Sequence, residues 1–211
     1  MQLFAYRQFH RQTNVAATLL TAMMELGSAN VDMSIPRQEL TFHGLIQVGP
    51  WREASGTPLK KALRYASDTG VNFAARRDPK RADDLREILR AESPNFEFRF
   101  PEELGALPTE QLDIDRDIIA ANRVLLVEAS RLRSEPSFHL LLVRRVEGRH
   151  FSVMNSATGR NYDFGFRELR MHLITQLTHG PVAFAGGLYA FTGIAFVLSR
   201  NPFPQGNLRS A

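Results

Sequence analysis

The sequence predicts an α+β fold, with N-terminal helices packed against one side of an antiparallel sheet built by the second half of the chain. Three observations predict it. Apolar residues recur at helical spacing early in the chain, as Val15, Leu19, Ala22, Met23 and Leu26 and again as Leu59, Ala62, Leu63 and Ala66. From Arg123 onward β-prone runs follow one another with short turns between them. The 211 residues, 44% hydrophobic and 23% charged, have the balance of a globular domain that buries roughly 70% of its unfolded surface. A single domain over residues 1–211 is expected, helical to about residue 120, sheet from about 121 to 200, with a short tail over 201–211.

Each element has its own signal. Asn14 is placed to cap the first helix and Gly27 to stop it. Pro36, Gly49-Pro50 and Gly56 break the next segment. Thr57-Pro58 opens a second helix that runs to Gly70, with proline in the first turn, where its missing N–H costs nothing. A third helix is predicted over Asp83–Arg90, then an irregular stretch from Glu92 to Gln111 around a short Phe96–Phe100 strand. Strands Arg123–Ala129, Phe138–Val146 and His150–Asn155 form a meander, the last two joined by the turn Glu147-Gly148-Arg149. After a turn at Ser156-Ala157-Thr158-Gly159 come a short strand, Asn161–Phe164, and a helix, Phe166–Leu177. Gly180–Ser199 carries no charge over twenty residues, the length of a membrane-spanning helix. Its Gly180-Pro181, Gly186-Gly187 and Gly193 instead divide it into three buried strands, Val182–Ala185, Leu188–Phe191 and Ile194–Leu198.

Composition excludes several kinds of function. Without cysteine there is no thiolate metal site, iron–sulfur cluster, disulfide or thiol mechanism in the chain as it stands. The net charge of +4 raises nucleic acid as a partner. However, the densest basic run, Arg76-Arg77-Asp78-Pro79-Lys80-Arg81, is followed by Asp83, Asp84 and Glu87, a mixed-sign pattern that reads as a solvated helix face. Lysine occurs only at 60, 61 and 80. That fits a GC-rich coding sequence, or a protein that gains from offering few ubiquitin acceptors. No phosphate-loop or dinucleotide glycine pattern is present. His172 and His179, seven apart in and just beyond the predicted Phe166–Leu177 helix, read as a surface coincidence, so neither metal nor cofactor is expected.

The informative constellation is spread along the chain: Gln8, the helix start at Asn14, His139 inside a strand, and Asn155 at the end of the next strand, sixteen residues after His139. Taken singly these residues are bland, since a histidine in an apolar strand is commonly a core residue and asparagine is a common turn former. Their order is the signal. Ser137-Phe138-His139-Leu140-Leu141-Leu142-Val143, the turn at 147–149 and Val153-Met154-Asn155-Ser156-Ala157-Thr158-Gly159 resemble the His and Asp/Asn hairpin of papain-like bacterial peptidases. The likeness is to the leader peptidases of double-glycine bacteriocin precursors and to secreted effector proteases and glutamine deamidases of the same clan. Ser55-Gly56-Thr57-Pro58-Leu59 and the Val124–Val127 strand also resemble that plan. The resemblance implies a thiolate at the start of the first long helix, favoured by the helix dipole and a nearby imidazolium. It also implies a glutamine six residues earlier as oxyanion donor, and an amide or carboxylate that fixes the histidine tautomer.

At the nucleophile the sequence departs from the family. Gln8 plus six is Asn14, and thirteen back from Gly27 is again Asn14. A competing register pairs Gln12 with Thr18, which would put a hydroxyl in the slot. Asn14 is preferred because the nucleophile of this fold begins its helix, and Ala16 and Ala17 remain possible inactivated positions. The resemblance therefore implies a peptidase-like scaffold without its thiol, binding a peptide or protein segment in the old cleft. The alternatives are an active protease or deamidase in a Cys-substituted form, a hydrolase using Thr18, or a structural protein with an accidental hairpin likeness. Residues 1–7 hold no apolar run ending in a small-residue cleavage site. With the resemblance, that predicts the bacterial cytoplasm, or secretion into a host cell without a Sec signal.

Overall fold

The computed structural model describes residues 3–9, 13–28, 59–78, 110–132, 135–175 and 182–203. Among the described residues two helices, α1 (Asn14–Glu25) and α2 (Leu59–Asp68), precede strand β1 (Asn72–Arg77) and the two-residue β2 (Glu110–Gln111). A π-helical turn over Ile114–Ile119 leads into β3 (Arg123–Leu132), β4 (Glu135–Glu147), β5 (His150–Asn155) and β6 (Arg160–Gly165). Helix α3 (Phe166–Thr175) and the hairpin β7 (Val182–Phe184) and β8 (Gly187–Ser199) complete the described chain. Both early helices stop where the sequence predicts, at Gly27 (φ 71°) and Gly70 (φ 90°), left-handed positions that suit glycine. The predicted Asp83–Arg90 helix and Phe96–Phe100 strand lie outside the described residues.

The fold is α+β, with one sheet in the order β2-β1-β8-β3-β4-β5-β6 and β7 paired to β8. Every pairing is antiparallel except β1 with β2. Alternation along the central strands sends Leu125, Val127, Leu140, Leu142 and Met154 to one face, where α1 and α2 pack with Leu19, Met23, Leu63 and Ala66. It sends Val124, Leu126, Leu141, Val143, Phe151 and Val153 to the other face, under Ile118 of the π-turn and Leu169 and Leu173 of α3. Helices therefore cover both faces. This corrects the expectation of a one-sided layer: the strands at 123–143 carry apolar residues at odd and even positions alike, so both faces need cover.

Three further expectations are corrected. The part expected to be mainly helical, to about residue 120, contributes strands β1 and β2 to the sheet at positions where no strand was expected. Arg76 is not on a solvated helix face: it lies in β1, 8% exposed, and its Nε donates to Asp117 Oδ1 at 2.9 Å. The stretch from Leu188 to Leu198 is one strand rather than two, because Thr192-Gly193 forms a bulge and not a turn. Val127 pairs with Ile194 and Glu128 with Phe191, so β8 carries two extra residues. An even insertion leaves the inward and outward alternation in phase. The bulge satisfies its own backbone, since Thr192 Oγ1 donates to Val127 O at 2.7 Å and Asp78 N donates to Gly193 O at 2.7 Å. No helix among the described residues is long and apolar enough to cross a membrane, and from Val182 the charge-free stretch is sheet.

Candidate functional site

The N-terminus of α1 meets the sheet where β4 and β5 part. Their ladder starts at the turn and its last pair is Leu142 with Met154, so Leu140 on β4 has no backbone partner from β5. Asn14 fills that place. Its Oδ1 accepts from Leu140 N at 2.6 Å and its Nδ2 donates to Leu140 O at 3.1 Å. One side-chain amide thus makes the two hydrogen bonds that a neighbouring strand would make. The predicted capping role is overturned: Asn14 is the first helical residue, Thr13 is the N-cap without a side-chain cap bond, and Ala17 N donates to Thr13 O at 2.9 Å. Asn14 also donates to Ser156 Oγ at 2.8 Å.

His139 lies beside it. The imidazole Nε2 is 3.1 Å from Asn14 Nδ2 and 2.9 Å from Asn155 Oδ1, and the Tyr189 ring stacks on it with centroids 5.2 Å apart. Burial pushes the His139 pKa down to about 4, against the opposing pull of the Asn155 hydrogen bond. The ring is therefore neutral at pH 7. Asn155 is fully buried and saturated. Its Oδ1 also accepts from Ala157 N at 2.9 Å, and its Nδ2 donates to Ala185 O at 2.8 Å and Tyr189 Oη at 3.0 Å. Burial raises the Tyr189 phenol, with the Asn155 hydrogen bond opposing.

Gln8 joins through the turn after β5. Its backbone N–H donates to Ser156 O at 2.8 Å, and Ser156 Oγ donates to its Oε1 at 2.8 Å. The segment carrying Gln8 is anchored by a buried charge cluster. Glu25 Oε1 accepts from Phe4 N at 3.1 Å, Arg144 Nη1 donates to Phe4 O at 2.7 Å, and Arg123 Nε lies 2.8 Å from Glu25 Oε2. Thr18, one helical turn behind Asn14, is fully buried, with its hydroxyl 3.4 Å from both Leu140 O and Ser156 Oγ. Ala16 and Ala17 are also fully buried. Gln12, the partner of Thr18 in the competing register, lies outside the described residues.

No family model matches the chain. No curated protein matches it either.

The structure thus brings Gln8, Asn14, Thr18, His139 and Asn155 into one cluster at the end of the sheet. It also adds three residues that sequence reasoning missed. Ser156, which links Gln8 to Asn14, carried no signal beyond its place in a turn. Tyr189 is the one tyrosine in the charge-free stretch, and a phenol in such a run needs a polar partner. Ala185 holds Asn155 through its carbonyl from a left-handed conformation, φ 46°, which sequence alone does not announce. The surface reading of His172 is corrected: it is buried, stacked on Phe184 with centroids 3.5 Å apart, its Nε2 3.1 Å from Glu128 Oε1. His179 lies outside the described residues. Among the described residues no three His, Asp or Glu side chains converge as a metal site would require.

Proposed function

We propose that the chain is a papain-like domain in which Asn14 stands where such enzymes carry their thiol, and that it binds a peptide or protein segment at the remnant of the cleft. The observation that carries this reading is the row Asn14, His139, Asn155, with contacts of 3.1 and 2.9 Å between residues from the first helix and two successive strands. An amide is no nucleophile, and a half-buried neutral imidazole with a pKa near 4 is a weak base at pH 7. Both argue for binding over turnover. Thr18 is a poorer candidate for the slot, because it lies one helical turn past the helix start and is fully buried.

Selection from a random peptide library displayed on the intact protein tests this. Peptides are expected to enrich, to perturb the imidazole resonances of His139, and to lose at least tenfold in affinity on His139→Ala. Enriched peptides that leave His139 undisturbed, or no enrichment at all, would remove the cleft-binding function.

A further inference from the structure

Two side-chain amides meet His139, and the surroundings of each fix which end faces the ring. Turning Asn155 over would set its oxygen against Ala185 O and its NH2 against Ala157 N, so an acceptor, Oδ1, faces Nε2 at 2.9 Å. Turning Asn14 over would break both bonds to Leu140, so a donor, Nδ2, faces the same nitrogen at 3.1 Å. One ring nitrogen cannot donate to the first and accept from the second. Asn14 has other acceptors for its two hydrogens, Leu140 O and Ser156 Oγ. Without a hydrogen on Nε2, by contrast, two lone pairs would oppose each other at the shorter contact. The hydrogen belongs on Nε2, which in a neutral ring leaves the lone pair on Nδ1. Nδ1 makes no hydrogen bond to any described residue, and His139 keeps partial exposure to solvent.

We infer that His139 presents Nδ1 as an uncharged hydrogen-bond acceptor to the ligand, so that the cleft takes a neutral N–H donor such as a peptide amide and rejects a carboxylate. This polarity is opposite to that of an imidazolium that donates a proton. The ionisable groups packed about the ring are Tyr189, stacked on it, and Glu128, its cross-strand partner, whose Oε1 is directed to His172. The ligand half of the inference rests on the cleft function proposed above, whereas the tautomer does not.

The test is a long-range proton–nitrogen correlation spectrum of 15N-histidine-labelled protein at pH 7, with His139 assigned by difference against His139→Gln. The expected spectrum has a protonated Nε2 and a pyridine-like Nδ1. Acetamide, which carries N–H donors, should shift the Nδ1 resonance, and sodium acetate at equal concentration and ionic strength should not. In Asn155→Ala only the Asn14 donor still faces Nε2, so the ring should invert to the Nδ1–H form. The inference is overturned by an Nδ1–H ring or an imidazolium in the intact protein. Acetate acting as strongly as acetamide, or neither acting, overturns it too. The intact-protein spectrum decides the tautomer even if Asn155→Ala does not fold. The expected spectrum and acetamide shift without peptide enrichment would count against the cleft function alone.

Discussion

Replacing Asn14 with alanine tests the amide that stands in for a strand. Three hydrogen bonds are lost, to Leu140 N, Leu140 O and Ser156 Oγ. Two of the bereaved groups have substitutes: the Thr18 hydroxyl reaches Leu140 O at 3.4 Å, and Ser156 keeps Gln8. Leu140 N has none, and its residue is 2% exposed. An orphaned buried N–H costs about 1–3 kcal/mol and each lost but replaceable bond about 0.5–1.5 kcal/mol, while alanine recovers about 0.5 kcal/mol of helix propensity. The net expectation is about 3 kcal/mol of destabilisation. With a urea slope of about 2 kcal/mol/M, the midpoint falls by about 1.5 M at unchanged slope. Thr21→Ala is the control: it removes one buried bond in the same helix, from Thr21 Oγ1 to Ala17 O, and should cost about 1 kcal/mol or less. If Asn14→Ala costs no more than Thr21→Ala, the amide is not bridging the parted strands.

Other perturbations reach different parts of the argument. The native pKa of His139, about 4, lies below its unfolded value of about 6.5, so between these values the unfolded chain binds more protons and stability rises with pH. Urea midpoints at pH 7 and pH 5 should show wild type losing about 2 kcal/mol more than His139→Gln, and parallel losses would contradict the neutral ring. Glu25→Gln leaves Arg123 and Arg144 buried without their shared carboxylate, so chemical denaturation should record a loss of about 3–5 kcal/mol. Near-native stability would show that Gln8 is not held by that cluster. Gly186→Ala puts a methyl into the Tyr162 hydroxyl at φ +78°, an expected cost of about 2–4 kcal/mol by thermal or urea unfolding. A neutral result would mean that the β7–β8 turn beneath Asn155 adapts freely.

What was legible in the sequence depended on how local the signal was. Helices α1 and α2 announced themselves through apolar spacing and terminal glycines, and the meander through β-prone runs between obvious turns. The His139 and Asn155 contact was readable because a tight hairpin makes sixteen residues of separation a short distance in space. Arg76-Arg77 misled because the burial of Arg76 depends on Asp117, forty-one residues away, and an arginine in sequence does not carry its counter-ion with it. Thr192-Gly193 misled because glycine after a β-prone residue marks a turn or a bulge equally well, and β3 as partner decides which. Asn14 looked like a cap because asparagine usually is one at a helix start. The gap between β4 and β5 that draws its side chain away is a tertiary feature.

The most direct measurement of the account places a thiol in the slot and asks whether the site activates it. The pH dependence of alkylation is measured for Asn14→Cys, for Thr18→Cys, and for each combined with His139→Ala. At a helix N-terminus beside an imidazole, the thiol of Asn14→Cys should titrate at least one unit below the usual value of about 8.5, and return towards it when His139 is removed. Thr18→Cys should stay slow and indifferent to His139, because that position is sealed. An ordinary thiol at position 14 that ignores His139, or activation at position 18 instead, would contradict the assignment of Asn14 to the nucleophile position of a papain-like site.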